Sequence, residues 1–289
     1  MALGVLKMAL GVLKMALKNL LVMVDGSRRA LKRLQLATDL AERHGASLTG
    51  LYVPDVFYAH TEAGRLFTEP EWSDMRDDLR DESRRLEQLF WDQTKRAGLQ
   101  AEWRVAAGPA AGAAAVHARF ADLVILGHVD PDDPATQVAK GSVEQVLFSA
   151  GRPVLVIPYT RPFDTVGESV IIGWKTSREA ARAVNDAIPI LKTARSVTVL
   201  AVNAEPGFRA GEPAAAEVAR HLGRHGINTA VVHRTVAPAL EPDALLDYAA
   251  EMRADLLVVG GYGRLTQSIM GGVTRVLLER MRLPVLLSH

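Results

Sequence analysis

The strongest constraint on this chain is a pair of blocks that it carries twice. Ala121-Asp122-Leu123-Val124-Ile125-Leu126-Gly127 returns as Ala254-Asp255-Leu256-Leu257-Val258-Val259-Gly260. Arg152-Pro153-Val154-Leu155-Val156 returns as Leu283-Pro284-Val285-Leu286-Leu287. Matched blocks in the same order, 133 and 131 residues apart, indicate an internal duplication. Each apolar run is strand-sized, and the runs are continuous rather than alternating. That pattern suits a parallel sheet covered on both faces.

The stretches between the blocks alternate in type. Leu20–Val24 reads as a strand ending in Asp25-Gly26-Ser27, a turn and helix-start signal. A helix striped by Leu31, Leu34, Ala37 and Leu40 follows, with Gly45 as its stop. Ser47–Val53 is a second strand. A charged helix over 71–96 carries Trp72, Met75, Leu79, Leu86 and Phe90 on one stripe, and its many charges read as a solvated face. Gln100–Val105 is a third strand, and 109–119 is an alanine-rich helix. The second half repeats the order: strand Val170–Trp174, a helix after Ser177, strand Ser196–Val202, helix 213–225, strand Thr229–His233 and helix 241–252. Right-handed crossovers then imply two tandem doubly wound α/β units, residues 19–161 and 162–289, joined through a segment bearing Pro158 and Pro162. Pro153–Ile157 and Pro284–Leu287 are short apolar strands at the ends of their units. As open edges they invite pairing.

The first 18 residues are atypical. MALGVLK occurs twice and Met15 restarts the phrase, which reads as a repeat outside the fold. The 3,4 spacing of Leu3, Leu6, Leu10, Leu13 and Leu17 leaves a helical arm as the alternative. The first lysine is Lys7 and no A-x-A site follows, so a signal peptide is not expected. No apolar run is long enough to span a membrane. A net charge of +1 gives no field to draw the chain to nucleic acid or anionic lipid. With no cysteine, a disulfide framework, thiolate-ligated metal and thiol catalysis are excluded, and a reducing, cytoplasmic setting is compatible.

A strand ending in Asp-Gly-Ser, a strand ending in ADLVILG or ADLLVVGG, a glycine-bearing loop into a helix, then R-P-V-L-V-I-P: in this order, twice, the chain resembles the universal stress protein family in its tandem form. The resemblance covers residues 15–289. It implies five parallel strands per unit in the order 3-2-1-4-5, a Rossmann-like arrangement, and antiparallel pairing of the two last strands, Pro153–Ile157 and Pro284–Leu287, with each other. Many members bind ATP or AMP, and others have lost nucleotide binding.

The resemblance also implies where a nucleotide would sit. In the first half the positions are Asp25, Val53, Gly127, Gly141 and Ser142. The second loop glycine is replaced by Asp130, and Asp132 and Asp133 add carboxylates that would repel phosphate unless Mg²⁺ bridged it. A solvated turn is the plainer reading of this segment. In the second half the positions are Val202, Gly260, Gly263, Gly271 and Gly272, with Lys175 where the first half has its acid and a shorter spacer between the glycines. Glycines allow close approach to phosphate, and the helix that follows offers unpaired amides.

Other signals are weaker. His221 and His225 share a helix face, but two histidines do not make a metal site, and no metal is expected. Ser27 and Ser142 read as helix caps. No G-x-S-x-G, H-E-x-x-H or G-x-x-x-x-G-K-[ST] is present. The expected function is therefore a non-catalytic stress-response protein, with an adenine nucleotide, with or without Mg²⁺, or with none. A partner-binding scaffold with degenerate pockets and a weak ATP-hydrolysing enzyme are the alternatives. A homodimer is compatible, whereas nucleic acid and membrane are not expected as partners.

Overall fold

The protein is described by a computed structural model that covers residues 17–54, 69–133, 135, 142–203, 214–261 and 272–289. In chain order the first half supplies β1 (Asn19–Met23), α1 (Ala30–His44), β2 (Ser47–Tyr52), α2 (Glu69–Arg96), β3 (Ala101–Val105), α3 (Ala110–Ala118), β4 (Leu123–Gly127), α4 (Ser142–Ala150) and β5 (Val154–Ile157). The second supplies β6 (Ser169–Trp174), α5 (Arg178–Leu191), β7 (Ser196–Val202), α6 (Ala214–Arg224), β8 (Ala230–Arg234), α7 (Glu241–Glu251), β9 (Leu256–Gly260), α8 (Gly272–Arg280) and β10 (Val285–Ser288). These elements follow the expected alternation, with ends shifted by at most two residues.

All ten strands form one sheet, ordered β3-β2-β1-β4-β5-β10-β9-β6-β7-β8. Within each half every pairing is parallel and the order is 3-2-1-4-5. The halves meet where β5 and β10 pair antiparallel, with Val156 opposite Val285, Leu155 opposite Leu286 and Val154 opposite Leu287. Two strand edges that would template aggregation are thereby closed against each other. The remaining edges, β3 and β8, carry Glu102, Arg104 and Arg234, charges that discourage further pairing. The central strands are buried throughout, as continuous apolar runs demand.

The repeated aspartates of the duplicated blocks have a structural task. Asp122 Oδ2 accepts the amides of Lys18 and Asn19, and Asp255 accepts those of Gly167, Glu168 and Ser169. Each carboxylate thus ties the start of the fourth strand of its half to the lead-in of the first. The clamp also draws in two residues expected to lie outside the fold: Leu17 is buried in the core, and Lys18 accepts the Ser47 amide. Residues 1–16, which hold the repeat and the possible arm, lie outside the described residues.

Ser27 does not cap α1. Arg29 stands at the N-cap without a side-chain bond, because the Ser27 hydroxyl is donated to Asp25. In the second half the matching Ser177 does cap, accepting from the Ala180 amide at 3.1 Å. Leu31 is exposed, and the buried stripe of α1 is Ala30, Arg33, Leu34, Ala37, Leu40 and Ala41. Gly45 ends the helix in the left-handed conformation, as its place after the stripe suggested. No helix among the described residues is long and apolar enough to cross a membrane.

His44, in the last turn of α1, makes the fold acid-sensitive. Burial, with a smaller push from Arg43, lowers its pKa from 6.5 to about 4. The unfolded chain therefore takes up a proton near pH 6.5 that the folded chain refuses until about pH 4. Stability from this group is complete above about pH 6.5 and is lost as pH falls through that window. Between about pH 7 and pH 5 the loss should be about 1–2 kcal/mol, allowing for partial solvent shielding. His117, His128 and His221 are lowered by burial too and add to the slope. Urea melts of His44→Gln beside wild type isolate its share: the variant should be flatter with pH, and equal slopes would refute the assignment.

Candidate functional site

In the first half, Asp25 follows β1 at the C-terminal end of the strands, where open parallel sheets bind ligands. It is fully buried, and so is Arg33, one helical turn into α1. The Arg33 guanidinium lies 2.7 Å from Asp25 Oδ1 and donates to the Met23 carbonyl at 2.9 Å. The Ser27 amide and hydroxyl also donate to Asp25 Oδ1, while Oδ2 is buried without a partner among the described residues. Gly127, at the end of β4, faces the same guanidinium, since a Cβ there would collide with Arg33 Nη1. The structure thus brings Asp25 and Gly127 together, with Arg33 filling the space between them.

A second plug stands beside the first. Glu82 of α2 accepts the Tyr52 hydroxyl at 2.7 Å and presses against Gly26. Asp133, expected in a solvated turn, is buried. Its carboxylate accepts the Arg28 amide at 2.7 Å and the Ala135 amide at 3.2 Å, and pairs with the Arg28 guanidinium. Burial would raise its pKa, but the two amides and Arg28 more than offset this, so the carboxyl titrates below its ordinary range. Asp130 also pairs with Arg28 and folds back on the Asp132 amide. Arg28 therefore already holds internal anions, of the charge that a phosphate would bring. Val53 is buried just beyond β2, and Ser142 opens α4. Gly141 lies outside the described residues.

The second half closes differently. The β-sheet register that matches Leu20 to Val170 puts Lys175 at the place of Asp25 and Ala183 at that of Arg33. With no guanidinium there, α5 settles onto the strand. A Cβ on Gly260 would lie 2.5 Å from the Ala180 nitrogen and 2.7 Å from the Glu179 carbonyl carbon. Those atoms are main chain, so the first turn of α5 rests directly on Gly260. Lys175 pairs with Glu241 at 3.7 Å, and Asn203, with φ 55°, donates to Glu241 at 2.8 Å and accepts the Val236 amide. Around Val202 the described residues leave a crevice of ≈ 10 Å³, room for about one water. Gly272 opens α8, and Gly263 and Gly271 lie outside the described residues.

Arg33 was not singled out by the sequence reading. Its signal is its spacing: four residues before Ala37 and three after Ala30, it is a charge on the apolar stripe of α1. The His221 and His225 rings meet edge to face at 4.9 Å. No group of three or more possible metal ligands occurs among the described residues.

A sequence model of the universal stress protein family matches residues 16–158. A comparison with curated proteins gave no match. Among solved structures, a universal stress protein from Archaeoglobus fulgidus DSM 4304 is similar, with a TM-score of 0.71 at 17% identity over 93% of this chain and 95% of that one. A putative universal stress protein from Pseudomonas aeruginosa UCBPP-PA14 gives 0.57 at 20% identity, covering 94% of this chain and 93% of its own. Both likenesses extend through the two halves at the level of fold. With the family match over its first half and the same strand order in its second, the chain belongs to the universal stress protein family.

Proposed function

We propose that the protein is a non-catalytic universal stress protein that acts through protein partners, its first-half pocket held shut by its own side chains. The observation that carries this reading is the buried Arg33 guanidinium, bonded to Asp25 and lying against Gly127. A nucleotide entering there would have to displace a buried ion pair, and its phosphates would compete with Asp133 for the Arg28 amide. In the first half the Ser27 hydroxyl lies on Asp25, but that carboxylate is already paired with the Arg33 guanidinium, so ATP hydrolysis draws no support from the geometry. The cysteine-free chain suits the cytoplasm. Because β5 and β10 are already paired within the chain, a homodimer would use another surface.

Adenine-nucleotide binding is the second reading, and one atom favours it. Asp25 Oδ2 is buried and, among the described residues, unpartnered, an acceptor available to a ribose hydroxyl or an adenine amine. Calorimetric titration of the whole chain with ATP and AMP, with and without Mg²⁺, decides between the two. The scaffold reading expects no binding heat at millimolar nucleotide. Binding that Asp25→Ala abolishes would instead establish a nucleotide site in the first half, and binding lost in Gly263→Asp would put it in the second. Phosphate release tracking either site would revive the enzyme alternative.

A further inference from the structure

A cavity of ≈ 840 Å³ lies on the seam between the halves and reaches His128, the residue after Gly127 of the first-half pocket. The connecting segment after β5, the C-terminal parts of α7 and α8 and the lead-ins to β9 and β10 form its walls, and His128 reaches it from the first half. Its volume is in the range of small-ligand sites. The aromatic part of its lining is ordered: His128 stacks on Tyr159 at 5.5 Å, and the Arg161 guanidinium lies 4.5 Å over the Phe163 ring. Leu246, Met281 and Leu283 add apolar surface.

The charges on the walls are not evenly available. Asp243 is held by Arg280, Asp164 by Lys32, Glu279 by Arg275, and Asp255 by three backbone amides. Arg253 and Arg282 line the cavity with exposed side chains, and Asp247 is an exposed acid on the same wall. Arg253 has φ 50°, at the point where α7 ends and where the Ala254 amide turns back to the Ala249 carbonyl. Glycine is the ordinary choice at such a helix end. An arginine kept in that conformation, with a cavity beside it, is a strained residue in search of a task.

We infer that this seam cavity binds a small monoanion with an aromatic or apolar body, its charged group meeting Arg253 and its body lying along the His128–Tyr159 and Phe163 wall. The Asp247 carboxylate and the committed acids disfavour a polyphosphate there. The inference is independent of whether either strand-end pocket takes a nucleotide.

The probe is 8-anilinonaphthalene-1-sulfonate, a fluorescent aromatic monoanion, titrated into the folded full-length chain. Enhanced fluorescence with one saturable site is expected. Arg253→Gly should weaken it about tenfold while leaving the melting temperature equal or higher, because glycine relieves the backbone. Ala250→Trp, which fills the cavity from an exposed position on α7, should abolish it. Absence of enhancement with wild type would overturn the proposal. So would wild-type binding in both variants, or displacement of the dye by ATP, which would assign it to a strand-end pocket.

Discussion

Arg33→Ala is expected to lower the unfolding free energy by about 3–5 kcal/mol, among the largest effects of any single truncation in the first half. Two costs combine. Asp25 would remain as a buried carboxylate with only Ser27 as a partner, and the Met23 carbonyl would lose its donor. The pair itself is a different matter, since replacing both charges with neutral groups of similar shape is often neutral or stabilising. Asp25→Asn/Arg33→Met should therefore recover most of the loss, and urea melts of the two single variants and the double variant close the cycle. Should Arg33→Ala melt within about 1 kcal/mol of wild type, the pair is not the plug described. The cycle also bears on function. Arg33→Ala vacates the space over Gly127, so nucleotide binding that appears only in this variant would mean that the pocket is intact beneath its plug.

Most of the architecture was legible because it rests on burial, and burial is written in hydrophobic runs. LVILG and LLVVG read as central strands, and the paired terminal strands followed from two open apolar edges together with the family resemblance. The state of the pocket was not legible. Arg33 sits beside Lys32 in a helix rich in charge, and its place on the apolar stripe marks it as turned inward without naming the anion it meets. Asp133 reads as part of a polar turn until the fold brings the Arg28 amide to it. Ser27 looked like a cap and instead serves the carboxylate two residues before it, a choice set by that buried charge. Lys175 was visible as the missing acid. That Ala183 allows α5 to close over Gly260 required the sheet register. The seam cavity depends on segments far apart in sequence, and no motif marks it.

Leu286→Ala should cost about 2–5 kcal/mol, and the cost should fall on the whole chain rather than on the second half alone. Leu286 lies opposite Leu155 at the centre of the antiparallel seam, and both are buried. Removing either side chain leaves a void in the layer where the helices of both halves meet the sheet. Two further contacts tie the seam from the side: Leu147 of α4 packs against Gly261, and Phe148 meets the His289 ring edge-on at 4.7 Å. A continuous ten-stranded sheet sharing such a layer should unfold as one unit, so circular dichroism and tryptophan fluorescence should report a single coincident transition in wild type. Leu155→Ala should shift that transition by a similar amount. The double variant should lose less than the sum, because each truncation already removes contacts that the other would have made. Two separated transitions in wild type, with only the one belonging to the second half moving in Leu286→Ala, would mean that the halves are merely adjacent and that the seam contributes orientation without stability.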